Sequence, residues 1–214
     1  MAGTLEQGGG MRQLLCRDLK PGDILLKMAT TSFTNKLIQA GQKLAGQPNA
    51  FLGHAAIALD TQFCIEAQAS GITANHLAMK NKGCGYIVYR PKNEALGRGA
   101  ANAAKVLFDI HQSRGSLKYG ALGAFKSLFG GTGKARTAGE MDALLTEVLA
   151  GKGRPFFCSQ FVVYVYHWAA GQSGLSPQSV FSLSDAKATP SMLASKLVGN
   201  PSFVEAGYMV PGER

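Results

Sequence analysis

A single long apolar run constrains this chain more than any other feature. The run FFCSQFVVYVYHWAA occupies positions 156–170. About 15 mostly apolar residues are too many for a typical strand and suit a buried helix. The valines favour a strand, but the chain breakers KGRP before the run and GQSG after it favour a helix. Because proline is tolerated only in the first turn of a helix, Pro155 places Cys158 in that turn.

A cysteine at the start of a helix has two interpretations. Unpaired backbone N–H groups and the positive end of the helix dipole stabilise an anion there, so a thiolate is favoured and is nucleophilic at neutral pH. The same N–H groups can form an oxyanion hole, and we expect the N–H of Cys158 to contribute to one. The alternative is a packing role, because free cysteine is often buried. Position alone leaves both open.

A nucleophilic cysteine needs a base, and the sequence contains four histidines. Three of them are His76 in a predicted loop, His111 late in a predicted helix and His167 on the cysteine helix. His54 lies in the predicted strand FLGHAAIAL, where Leu52, Ala56 and Ala58 would share its face. The alanines leave space beside the imidazole, and Gly53 allows a close approach. His54 is the candidate base, and a hydrogen-bonded core histidine is the alternative.

The segment after His54 predicts a β-hairpin that supplies a partner for the imidazole. If the chain turns over residues 60–62, counting along both strands places Gln68 opposite His54 and Glu66 opposite Ala56. Both side chains then lie on the His54 face. Either could orient the ring, and a carboxylate would also raise the pKa of the imidazole. The alternative for Glu66 is an exposed strand carboxylate.

The other segments predict an α+β domain with a central antiparallel sheet packed against helices. Predicted strands lie within 19–27, 51–59, 63–68, 86–90 and 203–210. Predicted helices lie at 34–44, 99–111, 140–149 and 156–170, with a further one beginning at Pro190 after the N-cap Thr189. Residues 1–18 are predicted to be a flexible tail and residues 19–214 a single domain.

Two segments leave their structure undecided. Residues 119–129 have helical apolar spacing but contain several glycines. The Gly-rich segment 128–154 includes FGGTGKART, which lacks the glycine at 128 and the Ser or Thr at 135 of a phosphate-binding loop. We interpret FGGTGKART as a flexible connection.

Composition limits the partners. The net charge of +9 comes from scattered basic residues, which indicates either solubility or an anionic partner such as a membrane surface or a cell-wall polymer. No DNA-binding or RNA-binding motif is legible, so nucleic acid is not expected. No cysteine pair or histidine has zinc-site spacing, so we predict no metal. Without a secretory signal, we expect free thiols at Cys16, Cys64, Cys84 and Cys158.

The N-terminus predicts where the protein works. MAGTLEQGGGMRQ has no basic flank followed by an apolar stretch, so we predict no signal peptide. No apolar run approaches the ~18 residues of a membrane span. The protein is then expected in the cytoplasm, or exported by a secretion system that needs no cleaved signal.

Five short segments, in their order along the chain, resemble the circularly permuted papain-like hydrolases of the NlpC/P60 superfamily, in particular its YiiX-like and YebB-like members. They are PGDILL at 21–26, GHAAIAL at 53–59, CIEA at 64–67, YIVYR at 86–90 and FCSQFVVYVY at 157–166. TPSMLA at 189–194 is similar to the Pro-led helix that follows the cysteine helix in such proteins. In ordinary papain-like enzymes the cysteine helix comes first, whereas here His54 precedes Cys158, which is the permuted order.

The resemblance implies a permuted papain-like fold and a cysteine hydrolase. Cys158 would be the nucleophile, His54 the base, and Glu66 the polar third residue that orients the base. Further candidates for substrate, oxyanion or support roles are Tyr119 in LKYG, Gln68 and Ser159. The reaction would cleave an amide bond through an acyl-enzyme and would need no metal or organic cofactor.

The resemblance implies the substrate only as a class. The superfamily most often cleaves peptide bonds in bacterial cell walls, so a peptidoglycan endopeptidase or amidase is the first expectation. Export without a signal peptide would suit an antibacterial toxin, whose partner would be an immunity protein. One alternative is a lipid or acyl amide or ester hydrolase or acyltransferase, since related permuted folds act on lipids. The other is a catalytically silent binding module in which Cys158 only packs.

Overall fold

The described part of the chain has an α+β fold. The structure is a computed structural model that describes residues 12–28, 51–68, 71–113, 158–184 and 188–212. Its strands are β1 (Gln13–Leu14), β2 (Ile24–Met28), β3 (Leu52–Ala58), β4 (Phe63–Gln68), β5 (Gly71–His76), β6 (Tyr86–Pro91) and β7 (Phe203–Met209). Its helices are α1 (Leu77–Lys80), α2 (Glu94–Ser113), α3 (Cys158–Gln172), α4 (Pro177–Val180), α5 (Pro190–Leu197) and a 3-10 helix (Cys16–Asp18).

The strands form one seven-stranded sheet in the order β1-β7-β6-β2-β3-β4-β5. β1 runs parallel to β7, and every other neighbouring pair is antiparallel. The predicted antiparallel sheet is therefore wrong at one edge, because the sheet is mixed. Since β1 and β7 come from opposite ends of the described chain, no hairpin constrains them to run antiparallel.

Each face of the sheet packs against its own hydrophobic core. The larger core joins strand residues such as Ile57 and Ile65 to α2, α3 and α5, and includes Phe161. The smaller core, on the opposite face, contains Ala56 and Cys64. Helix α3 is buried along most of its length, which explains why its sequence is apolar on all sides.

The β3–β4 hairpin has the predicted register next to its turn, but the pairing ends at Ile57 and Ile65, so the predicted pairs of His54 with Gln68 and of Ala56 with Glu66 are not formed. Ala58 lies opposite Cys64, as a turn over residues 60–62 requires. The Asp60 carboxylate supports this turn by accepting hydrogen bonds from two backbone N–H groups. The side chains of Glu66 and His54 therefore approach each other from neighbouring strands.

A β-bulge at Gly53 changes the face on which Leu52 lies. On β2, Lys27 lies opposite His54, but Met28 lies opposite Leu52, which leaves Gly53 as the extra residue. Leu52 therefore packs in the larger core and not on the His54 face. The predicted alternation was wrong at this residue, because an extra residue in one strand reverses the side on which the following side chains lie.

The turn before β2 ties the sheet to two helices. Gly22 has a φ of +91°, and a Cβ there would lie 2.3 Å from the carbonyl oxygen of Gly97 on α2, so glycine is required. The Gly22 carbonyl accepts a hydrogen bond from the Tyr166 hydroxyl on α3. The fully buried Asp23 then accepts hydrogen bonds from Arg90 Nε at 2.8 Å and Nη2 at 2.6 Å. These contacts fix the start of β2.

The described part of the predicted N-terminal tail belongs to the fold. Gln13 and Leu14 pair with β7, and Leu14 is 2% exposed in the smaller core. The prediction of a flexible tail over 1–18 is therefore wrong from residue 12 onward, because the apolar side chain of Leu14 has a core to enter. The single-domain assignment of 19–214 stays a prediction.

Most predicted elements within the described residues are confirmed. The Thr189 N-cap of α5 accepts a hydrogen bond from the Met192 N–H at 3.1 Å. Strand β5 was not predicted, and α2 begins at Glu94, earlier than predicted. The predicted helices 34–44 and 140–149, and the segments 119–129 and 128–154, lie outside the described residues. None of the helices in the described ranges is both long and apolar enough to cross a membrane.

Candidate active site

Helix α3 holds Cys158 at its N-terminus with the side chain partly exposed. The residues that follow are buried, and Phe161 has no exposed surface. The hydroxyl of Ser159 donates a hydrogen bond to the carbonyl of Ala188 at 2.7 Å. The first turn is therefore anchored by packing and by a buried hydrogen bond, which fixes the position of the thiol.

Strands β3 and β4 separate where the thiol approaches them. The described pairing of the two strands ends at Ile57 and Ile65. Odd-numbered residues of β3 direct their backbone N–H groups toward β4, so the N–H of Ala55 points into the gap between the strands. This N–H and that of Ser159 both donate hydrogen bonds to the Cys158 sulfur. The gap therefore exposes a backbone donor that a continuous sheet would have used internally.

His54 lies at the same gap and contacts both of its predicted partners. Its Nε2 is 2.6 Å from Glu66 Oε2, and 21% of its side chain is exposed. The ring also forms a hydrogen bond with the Cys158 thiol. Because the carboxylate occupies Nε2, the nitrogen that faces the sulfur is Nδ1. The three side chains form a row in the order Cys158, His54, Glu66.

The Glu66 carboxylate is buried and fully paired. Its side chain is 4% exposed, and its Oε1 accepts hydrogen bonds from Gln68 Nε2 at 2.6 Å and from Asn75 Nδ2. A buried charge needs such partners to offset the loss of water. Of the two orienting residues left open by the sequence, the structure places Glu66 against His54 and places Gln68 against Glu66.

The row of side chains favours the ionised forms of both Cys158 and His54 over the neutral forms. Burial opposes ionisation of Cys158, but the charge and hydrogen bond of His54 and the N–H groups of Ala55 and Ser159 outweigh it and lower the pKa of the thiol. Burial likewise opposes the imidazolium, but the Cys158 thiolate and then Glu66 raise the pKa of His54 to about 10. The arrangement therefore favours a thiolate beside an imidazolium.

The Glu66 carboxylate keeps its charge within this site. Burial favours the neutral acid, but hydrogen bonding and charge from His54, followed by the amides of Gln68 and Asn75, lower the pKa of Glu66. An ionised Glu66 stabilises the positive ring of His54.

The other three histidines lie away from the Cys158 thiol. The His76 ring packs edge-on against Phe63, His111 packs over Gly71, and His167 Nε2 lies 3.2 Å from the carbonyl oxygen of Phe181. The prediction of a loop at His76 is wrong, because this residue ends β5. Among the described residues, His54 is the histidine that contacts Cys158.

The remaining predicted support residues have different placements. Gln68 donates to Glu66 and is exposed, so it lies at the outer end of the row. Ser159 uses its hydroxyl inside the fold and contributes only its backbone N–H to the sulfur. Tyr119 lies outside the described residues.

Asn75, which contacts Glu66 from β5, is not among the residues predicted from the sequence. The segment GITANH at 71–76 alternates apolar Ile72 and Ala74 with polar Thr73 and Asn75, which is the pattern of a half-buried strand. That alternation could have identified β5 and placed Asn75 on the same face as Glu66.

Within the described ranges, no group of three or more His, Cys, Asp or Glu side chains is arranged to hold a metal ion. Comparisons of the chain with models of known protein families, with curated proteins and with solved structures gave no match. The chemistry of the site must therefore be inferred from its own geometry.

Proposed function

We propose that the protein is a cysteine hydrolase that cleaves an amide bond through an acyl-enzyme on Cys158. The observation that carries the proposal is the hydrogen-bonded row of Cys158, His54 and Glu66 at the N-terminus of α3. The thiolate is the nucleophilic form of cysteine, and a paired histidine and carboxylate favour it. A thiol that only fills space needs neither partner.

Each side chain has a defined part in the proposed reaction. The Cys158 sulfur attacks the carbonyl carbon and forms a C–S bond, while the N–H of Cys158 donates to the oxyanion. The C–N bond then breaks, and His54 Nδ1 gives its proton to the leaving amine. Water next attacks the thioester as His54 accepts a proton, which releases the acid and restores the thiolate. Glu66 holds the ring throughout.

The proposed architecture is the permuted papain-like fold of the NlpC/P60 superfamily. The strand that carries His54 precedes the helix that carries Cys158, as the permuted order requires. Two of the resembling segments also contact each other, because Asp23 in PGDILL pairs with Arg90 in YIVYR. These features support the resemblance independently of the row of catalytic candidates.

The proposed substrate is a bacterial cell-wall peptide, as the resemblance implies. The net charge of +9 suits an anionic polymer. An exported antibacterial toxin with an immunity protein as partner remains part of this proposal. The lipid hydrolase and the silent binding module are outcomes that the experiments below distinguish.

Cys158 should react with iodoacetamide faster than the other cysteines and with a weaker dependence on pH between 6 and 8, because its pKa is lowered. Burial raises the pKa of Cys16 and of Cys64, so their labelling should be slow. While the pH is below the pKa of an ordinary thiol, its labelling rate rises about tenfold for each unit increase in pH. Peptide mapping by mass spectrometry after short exposure measures each site separately.

Cys16 is the internal control, because it is partly exposed like Cys158 but its thiol is hydrogen-bonded by the backbone of Gly212 and of Cys16 itself. Its labelling should rise steeply between pH 6 and pH 8. Equal slopes for Cys16 and Cys158, or no adduct on Cys158 in the folded protein, would refute the proposed nucleophile and favour the silent binding module.

Replacing His54 with alanine should slow the labelling of Cys158 at pH 6 by at least about tenfold, the effect of one pKa unit. Without the positive charge of His54, burial raises the pKa of the Cys158 thiol unopposed by that partner.

In the unchanged protein, kcat/KM should stay level through neutral pH and fall above about pH 10, where His54 loses the proton that it gives to the leaving group.

The matched control for His54→Ala is His111→Ala, which removes a ring that packs over Gly71. This variant should leave the labelling rate of Cys158 at pH 6 unchanged. If both variants slow labelling equally, the His54 ring does not ionise the thiol and the pairing of charges is wrong.

A further inference from the structure

Two amides hold the Glu66 carboxylate on the side away from His54. Oε2 meets His54 Nε2 at 2.6 Å, whereas Oε1 accepts hydrogen bonds from Gln68 Nε2 at 2.6 Å and from Asn75 Nδ2. Since Glu66 is 4% exposed, these amides supply hydrogen bonds that water would otherwise make. They therefore determine the direction in which the carboxylate points.

The two amide side chains differ in how strongly the surrounding structure restricts their conformation. Asn75 lies inside β5, paired with Cys64 of β4, and its Nδ2 is also 3.3 Å from Thr73 Oγ1. Gln68 is the last residue of β4 and is exposed. A longer, exposed side chain loses more conformational entropy when it is fixed. Asn75 is therefore the more conformationally restricted of the two hydrogen-bond donors.

We propose that Asn75 is a positioning residue that fixes the Glu66 carboxylate so that His54 keeps its protonated ring directed at the Cys158 sulfur. The inference rests on the proposed function, and it adds β5 to the elements that build the site. Asn75 touches no reacting atom and acts through Glu66. Its removal should change the protonation of the row of side chains more than the packing of the fold.

The substitution Asn75→Asp tests this directly, because it keeps the shape and replaces the donor by a carboxylate. Two carboxylates facing each other cannot both stay ionised cheaply, so they share a proton. A protonated Glu66 no longer stabilises the imidazolium of His54. The thiolate should then be lost at a higher pH than in the unchanged protein.

Other titratable groups near Glu66 do not confuse this measurement. Cys64 lies on the same strand, and Tyr86 on β6 interacts electrostatically with Glu66. Burial raises the pKa of both groups far enough to keep them neutral near pH 7. Lys27 on β2 acts on Cys64 and is unchanged by the substitution. The acidic limb of a pH profile therefore reports on Glu66, His54 and Cys158.

The experiment measures iodoacetamide labelling of Cys158 from about pH 5 to pH 9 in the full chain, for Asn75→Asp, Asn75→Ala and Gln68→Ala. We expect the acidic limb for Asn75→Asp to move up by at least one pH unit, a roughly tenfold slower reaction near pH 6. Asn75→Ala should shift it in the same direction, and Gln68→Ala should shift it less. Cys16 in the same samples should keep its profile, which shows that the reagent and the fold are unaltered.

The results separate this inference from the proposed function. If the unchanged protein shows no fast labelling of Cys158 at pH 6, the proposed function itself fails. If it does, and folded Asn75→Ala and Asn75→Asp keep the same profile, the positioning role is overturned. A larger shift for Gln68→Ala than for Asn75→Ala would also overturn it. Should Asn75→Asp not fold, the comparison of Asn75→Ala with Gln68→Ala decides.

Discussion

Replacing Cys158 with alanine should reduce turnover of the substrate by roughly 10⁴-fold or more, the scale seen when one member of a catalytic triad is removed. The proposed reaction begins with a bond between the carbonyl carbon and the Cys158 sulfur, and an alanine methyl group cannot form it. The measurement is mass spectrometry of purified peptidoglycan after incubation with the protein. New amine termini should appear with the unchanged chain and be absent with Cys158→Ala.

The matched control is Cys16→Ala, which removes a partly exposed thiol that packs against the smaller core. It should retain full turnover if it folds, which circular dichroism would show. Residual cleavage by Cys158→Ala at more than about one hundredth of the original rate would contradict a covalent mechanism, because the remaining site lacks a nucleophile.

The same pair of variants distinguishes the substrate classes. An unchanged cell wall, together with cleavage of lipid amides or esters that depends on Cys158, would replace the peptidoglycan proposal by the lipid one. Labelling of Cys158 without turnover of either class would leave a reactive thiol whose acyl donor is different. In each case the chemistry at Cys158 is tested separately from the identity of the substrate.

Replacing Asp23 with alanine should lower the free energy of unfolding by about 3 kcal/mol, the scale for removing one partner of a buried ion pair. Asp23 is fully buried, and its carboxylate accepts two hydrogen bonds from Arg90 and one from the N–H of Lys20. For a chain of this size, each kcal/mol lowers Tm by about 2–4 °C. We therefore expect Tm to fall by about 6–12 °C, measured by thermal denaturation.

The control for Asp23→Ala is Lys105→Gln, which removes an exposed ion pair with Asp109 on α2. Exposed pairs contribute little, so Tm should stay close to that of the unchanged protein. An equal loss in both variants would show that Asp23 does not anchor the turn. Asp23 immediately precedes β2, whereas His54 lies opposite Lys27 near the other end of this strand. Asp23→Ala should therefore also leave Cys158 labelling at pH 6 intact in the fraction that folds.

The site could be anticipated from local pattern and counting. The length of the apolar run and its flanking breakers placed Cys158 at the start of a helix, and α3 begins there. The short turn set the hairpin register, so the sequence could place both Glu66 and Gln68 on the His54 face. These inferences worked because helix termini and tight turns are governed by neighbouring residues.

Features that depend on pairing across the sheet could not be anticipated in the same way. The extra residue at Gly53 is visible only against β2, since a bulge is defined by the partner strand. The parallel pairing of Leu14 with β7 joins segments far apart in sequence. Whether Glu66 or Gln68 contacts His54 also depends on where β3 and β4 separate, and this follows only from the folded sheet.

The sequence by itself determined that Cys158 lies in the first turn of a helix and that a hairpin carries His54 and Glu66. Only the tertiary structure decided that these elements meet, because β3 and β4 diverge beyond Ile57 and leave the N–H of Ala55 free to face the sulfur. The reason is physical. Local propensities act over a few residues, whereas the charge state of a thiol depends on burial and on donors from strands that only folding brings together.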